Sequence, residues 1–134
     1  MADGTGAEPG TGESLMHPGH PIGTIHLHRD PVDFRKQING LAAIVEGELE
    51  MSPFADALFV FINRGRTSIK ALYWDRNGFC LWQKRLEADR FAWPRGERFA
   101  AIHQVSLREL QWLFEGFDPW HKNVHKPLNY MMIS

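Results

Sequence analysis

The chain has 134 residues, 43% hydrophobic and 23% charged, with a formal net charge of −1 and one cysteine. That length supports one hydrophobic core and not two, and no apolar run approaches the roughly 20 residues that a membrane span needs. The lone Cys80 excludes an internal disulfide, and the N-terminus lacks the basic start and apolar stretch of a secretory signal, so a reducing cytoplasm and no membrane partner are expected.

Residues 1–23 are rich in Gly and Pro and too poor in large apolar groups to offset the entropy of ordering them, which predicts a disordered leader. Thr24-Ile25-His26-Leu27-His28 alternates apolar and polar residues and predicts a first strand. Asp30, Pro31 and Asp33 then read as the N-cap, first position and first turn of a helix. Ile38, Leu41, Ala42, Val45 and Leu49 supply its buried stripe, for about four to five turns ending before Ser52-Pro53.

Three β-rich runs follow, Leu58 to Ile62, Ser68 to Trp74 and Phe79 to Leu86, separated by short polar turns. They predict an antiparallel meander whose second turn, Asp75 to Gly78, is of type I with Gly78 at positive φ. Leu58 to Ile62 is apolar on both faces and belongs in the sheet interior. Phe91-Ala92-Trp93-Pro94 is a further extended piece. Ser106 and Glu109 form a capping box for a second helix that ends at Gly116. The expected fold is therefore a small single α+β domain over residues 24–118 in the order β-α-β-β-β-α, its three-stranded meander packed on an amphipathic helix, with an irregular tail at 119–134.

Charge is uneven along this plan. Arg64 to Arg98 holds nine Lys or Arg against four Asp or Glu, so this stretch carries +5 and the remainder −6. Folding the second hairpin sets Lys70 opposite a residue between Gln83 and Arg85, which gathers Lys70, Lys84 and Arg85 at the end of the sheet where the first turn presents Arg64 and Arg66. Such a cation rim is either fully solvated or kept for an anionic partner, and the anion it suits is a nucleic-acid phosphate. Arg90, Arg95 and Arg98 extend the patch unless Glu87, Asp89 and Glu97 pair with them. Trp74 and Trp82 are either stacking groups beside it or core residues.

Catalytic signatures are missing. His26-x-His28 and His17-x-x-His20 have chelating spacings, but nothing beside them completes a tetrahedral metal set. There is no Gly-rich phosphate loop, no cofactor motif, and no acidic trio for two-metal chemistry, and Cys80 lies inside a predicted strand as packing. Neither an enzyme nor a bound metal or cofactor is expected.

The stretches Leu58 to Arg66, Ile69 to Asp75, Gly78 to Glu87 and Arg90 to Pro94, flanked by Asp33-x-Arg35-Lys36, Gly40-Leu41-Ala42, Val45 and Leu113-Phe114-Glu115-Gly116, resemble the TnpB-type accessory protein of insertion sequence family sixty-six. Cys80, Gln83 and Phe34 depart from that pattern. The positions carried by motif are Arg35, Lys36, Arg64, Lys70, Trp74, Trp82, Lys84, Arg85, Arg90 and Trp93. The resemblance implies a bacterial mobile element whose separate transposase cuts and joins DNA while this product assists, with the transposase and another element-encoded accessory protein as partners. The residues add the expectation of DNA contacts through Arg64, Arg66, Lys70, Lys84, Arg85 and Arg90. A protein-interaction module docking on the transposase is the alternative, and an exposed edge strand leaves homodimerisation open.

Overall fold

A computed structural model of the chain describes residues 23–120. Nearly all of the expected leader and of the expected tail lies outside these residues, as do His17 and His20. Strands β1 (Thr24–His28), β2 (Ala57–Ile62), β3 (Ser68–Asp75), β4 (Gly78–Arg85) and β5 (Ile102–Val105) form one sheet in the order β4-β3-β2-β1-β5. The β1–β2 pair is parallel and the other three pairs are antiparallel. The domain is small and α+β as expected, with β5 as an additional strand. Ile102 to Val105 spans four residues just ahead of a helix cap, too short for alternation to stand out, and takes its strand identity from pairing with β1.

β2 is buried along its whole length because the sheet is covered on both faces. On one face lie Ile25, Leu27, Leu58, Val60, Ile69 and Ala71, packed against Phe91, Trp93 and helix α2 (Leu107–Phe114). On the other, Phe59, Phe61 and Leu72 meet Leu41 and Val45 of helix α1 (Ile38–Ala43) and its continuation. Among the described residues, no helix is long and apolar enough to cross a membrane.

The first helix starts at Ile38, eight positions after the expected Asp30 cap. The Asp33 carboxylate instead accepts hydrogen bonds from the Arg35 backbone and guanidinium. The carbonyls of Phe34 and Lys36, which a helix beginning earlier would offer to Ile38 and Gly40, accept from Lys70 Nζ at 3.0 and 2.8 Å. Regular helix begins once the Gln37 carbonyl is free to accept from Leu41 N–H. It then widens into a π-helical stretch, Ile44–Glu48, where Leu49 N–H bonds the Ile44 carbonyl five residues back. The apolar stripe from Ile38 to Leu49 packs on the sheet as expected.

The β3–β4 turn also differs. Asp75 pairs directly with Gly78, leaving the two-residue loop Arg76-Asn77, and Arg76 takes the positive φ, at 56°. A two-residue hairpin needs such a backbone inside its loop to match the strand twist, so Gly78 becomes the first residue of β4. The Ser106–Glu109 capping box forms in both directions, and Gly116 closes α2 at φ 95°.

Candidate anion-binding groove

The hairpin register separates the cations expected to converge. Lys70 faces Gln83 and Ile69 faces Lys84, and because neighbouring residues of a strand point to opposite faces, the two lysines leave the sheet on opposite sides. Lys70 is 2% exposed, with its ammonium on the Phe34 and Lys36 carbonyls and 4.9 Å from the Phe34 ring centre. Burial pushes that ammonium below its ordinary value. Lys84 Nζ donates to the Phe114 carbonyl, at 2.8 Å, in the last turn of α2. Arg85 is paired with Glu87 at 3.1 Å. Five cations therefore do not share one rim: each lysine pins the layer that covers its own face.

Arg66 and Arg90 instead belong to a different constellation with Arg95 and Arg98. A groove of about 690 Å³ is lined by these four arginines together with Phe99 and Trp120, and Phe91 and Trp93 line it from the core side. Its wall is set by backbone ties between distant segments. In the β2–β3 turn, the Asn63 side chain accepts from Thr67 and Ser68 N–H at 2.9 and 3.0 Å, and the turn places Arg66 at φ 60°. The Arg66 carbonyl then accepts from Phe91 N–H at 2.8 Å. Trp93 is buried, and its indole N–H donates to the His28 carbonyl. Arg29 holds the far side, its N–H on the Ala101 carbonyl and its guanidinium on the Phe99 carbonyl at 2.8 Å. Trp120 closes the groove by donating its indole N–H to the Ala92 carbonyl.

Electrostatically the groove is positive, with four arginines against the one carboxylate of Asp118. Among the described residues, Arg66, Arg90, Arg95 and Arg98 have no ion-pair partner, and Arg66 is half-buried. Burial, then the charges of Arg95 and Arg90, press the Arg66 guanidinium below its ordinary value, as expected for a cation lacking an anion. Asp118 also lines the groove, and its carboxylate accepts from the Trp120 backbone N–H at 3.0 Å. Arg98 lies over the Phe99 ring at 4.7 Å, and Phe99, His103 and Trp120 meet edge-to-face.

The remaining motif positions are scattered. Arg64 is exposed on the turn, Arg35 is paired with Asp33 at 2.6 Å, and Lys36 lends its carbonyl to Lys70. Trp82 packs on Phe114, and Trp93 is core. Trp74 joins Phe79 and the 56%-exposed Phe54 at the opposite end of β3. His26 stacks on Phe59, and His28 bonds Asp30 and Glu48. Among the described residues, no three His, Cys, Asp or Glu are placed to hold a metal. Phe99 and Trp120 carried no sequence signal as groove residues. The density of arginine between Arg90 and Arg98 did carry one, blurred by the interleaved acids.

Fold and groove define a small α+β protein that presents arginines beside aromatic rings on a backbone-braced wall. The family model described as IS66 Orf2 like protein matches residues 23–124, and the chain belongs to that family. It is thus an accessory protein of insertion-sequence transposition. Two proteins of Sinorhizobium fredii are similar to it. Uncharacterized protein y4jC is 36% identical over 104 residues, covering 78% of this chain and 86% of that relative. Uncharacterized protein y4hO is 36% identical over 89 residues, covering 66% and 76%. No solved structure matches the chain.

Proposed function

We propose that this accessory protein acts in the bacterial cytoplasm without catalysing a reaction itself, binding the element's DNA through phosphate contacts in the arginine groove. The observation that carries this reading is the convergence of Arg66, Arg90, Arg95 and Arg98, from two separate segments, with no carboxylate paired to any of them among the described residues. Arginine is charged at any physiological pH and its planar fork suits phosphate oxygens, so such a cluster has a strong affinity for polyanions. The single Cys80 and the absence of a membrane-crossing helix among the described residues are compatible with the cytoplasm. Salt dependence is the test. Anisotropy of labelled element-end DNA, single-stranded and duplex, between about 50 and 200 mM salt should show log affinity falling linearly with log salt. An Arg90→Ala, Arg95→Ala variant should bind more weakly, with a slope shallower by about 1.4 to 1.8 if each arginine neutralises one phosphate. Folded protein that binds neither DNA form at the lowest salt overturns the reading.

The aromatic cluster of exposed Phe54 on half-buried Trp74 and Phe79 favours a second reading, in which the protein docks on the transposase and barely touches DNA. An apolar contact of that kind would survive the higher salt and be lost with Phe54→Ser.

A further inference from the structure

Double-stranded DNA presents its phosphates on a convex surface and keeps its base faces stacked inside, so it would engage exposed rim arginines such as Arg90, Arg95 and Arg98 and leave the inner wall unused. That inner wall has two features which duplex phosphates do not explain. Arg66 sits half-buried between the Phe91 backbone and the Arg90 and Arg95 charges, deeper than its neighbours on the rim. Phe99 and Trp120, with ring centres 5.7 Å apart at 68°, are only partly buried and leave aromatic surface on the groove wall.

We infer that the groove receives an unpaired nucleotide of single-stranded DNA, its phosphate on Arg66, Arg90 and Arg95 and its base against Phe99 and Trp120. A volume of about 690 Å³ falls within the roughly 300 to 1,000 Å³ of sites that enclose a small organic ligand. Cationic side chains tracking a backbone beside aromatic rings that accept any base is how single strands are held without sequence readout. Arg98, stacked on Phe99 at 4.7 Å, adds charge to the same wall. The site is braced before any ligand arrives, since Phe91 and Trp93 are 2% and 5% exposed and the wall segments are tied to β1 and to the β2–β3 turn. The inference rests on the DNA-binding reading and narrows it to the form of DNA.

Three labelled probes of equal length separate the possibilities: oligothymidylate, an abasic deoxyribose-phosphate oligomer, and a mixed-sequence duplex, each titrated with the full chain. Oligothymidylate is expected to bind about tenfold more tightly than the abasic oligomer, the contribution of one stacked base, and more tightly than the duplex. Phe99→Leu, which keeps apolar bulk and removes the ring, should lose about fivefold or more on oligothymidylate and little on the duplex. Equal affinity for the abasic oligomer, or preference for the duplex, overturns the inference while leaving DNA binding intact. Absence of binding to all three probes at about 50 mM salt overturns both. The wild-type comparison of thymidylate with abasic probe involves no substitution, so the inference remains testable even if Phe99→Leu unfolds.

Discussion

Lys70 shows how a single residue can shape the chain far from it in sequence. Its ammonium occupies the Phe34 and Lys36 carbonyls, 36 and 34 positions upstream, and so delays the first helix. Lys70→Met keeps the apolar stem and leaves those carbonyls without a donor. Because an orphaned buried polar group costs about 1–3 kcal/mol, the variant should lose about 2 kcal/mol in urea unfolding, seen as a lower midpoint at unchanged m-value. Equal or higher stability would show that the ammonium is merely tolerated. His26 offers a pH-dependent counterpart. Half-buried on Phe59 and bonded to Thr24 Oγ1 at 3.0 Å, its imidazole is held below the ordinary 6.5 by burial. A base whose folded pKa is lowered binds fewer protons folded than unfolded, so stability rises with pH within the window below 6.5. Urea midpoints should therefore fall as wild type is acidified through pH 6.5, and His26→Gln should fall less. Parallel curves would remove His26 as a source of the dependence. None of this was legible beforehand. A lysine in a strand carries no mark of which face it leaves by, and the register was bounded only to Gln83 through Arg85.

At the scale of elements, legibility follows whether the deciding interactions are local. Helix α2 was readable to the residue because Ser106 and Glu109 satisfy each other's backbone three positions apart, and Gly116 relieves the left-handed closing turn. Helix α1 was readable only as an apolar stripe: its start is decided by Lys70 and by Val32 N–H reaching the Ile62 carbonyl, contacts that exist only after the sheet has formed. β5 was missed for the same reason. Four residues acquire strand identity from β1, and in turn they remove β1 from the edge of the sheet. The β3–β4 hairpin yields a prediction, since Arg76 at φ 56° pays for a conformation that glycine adopts freely. Arg76→Gly should raise stability by about 0.5–1 kcal/mol in thermal or urea unfolding, because the lost ion pair to Asp75, long at 3.6 Å and exposed on the Arg76 side, contributes little. A decrease would mean that this turn tolerates arginine without strain.

Across the whole molecule, the two ends of β3 carry different chemistry. The Arg66 turn opens into the groove, and about 25 Å away, taking roughly 3.3 Å per residue along the strand, Trp74 and Phe79 meet the exposed Phe54. The basic middle of the chain was legible as a charge excess. Its assembly was not, because Arg66 meets Arg90 and Arg95 only through the tie between the Arg66 carbonyl and Phe91 N–H. Like charges gathered in a groove work against folding and in favour of an anionic ligand, so stability and binding should move in opposite directions there. Arg95→Ala, at an exposed position, should therefore melt no lower than wild type while binding DNA more weakly. A polyanion such as pyrophosphate should raise the melting temperature of wild type more than that of the variant, because a ligand stabilises the folded state in proportion to the logarithm of its occupancy ratio. Screening of the like charges by salt would also favour wild type, so each shift is read as the excess over sodium chloride at equal ionic strength. Equal shifts from pyrophosphate would show that Arg95 holds no anion. A larger shift in wild type would place anion binding at the Arg66 end of the sheet and leave the Phe54 end free for a protein.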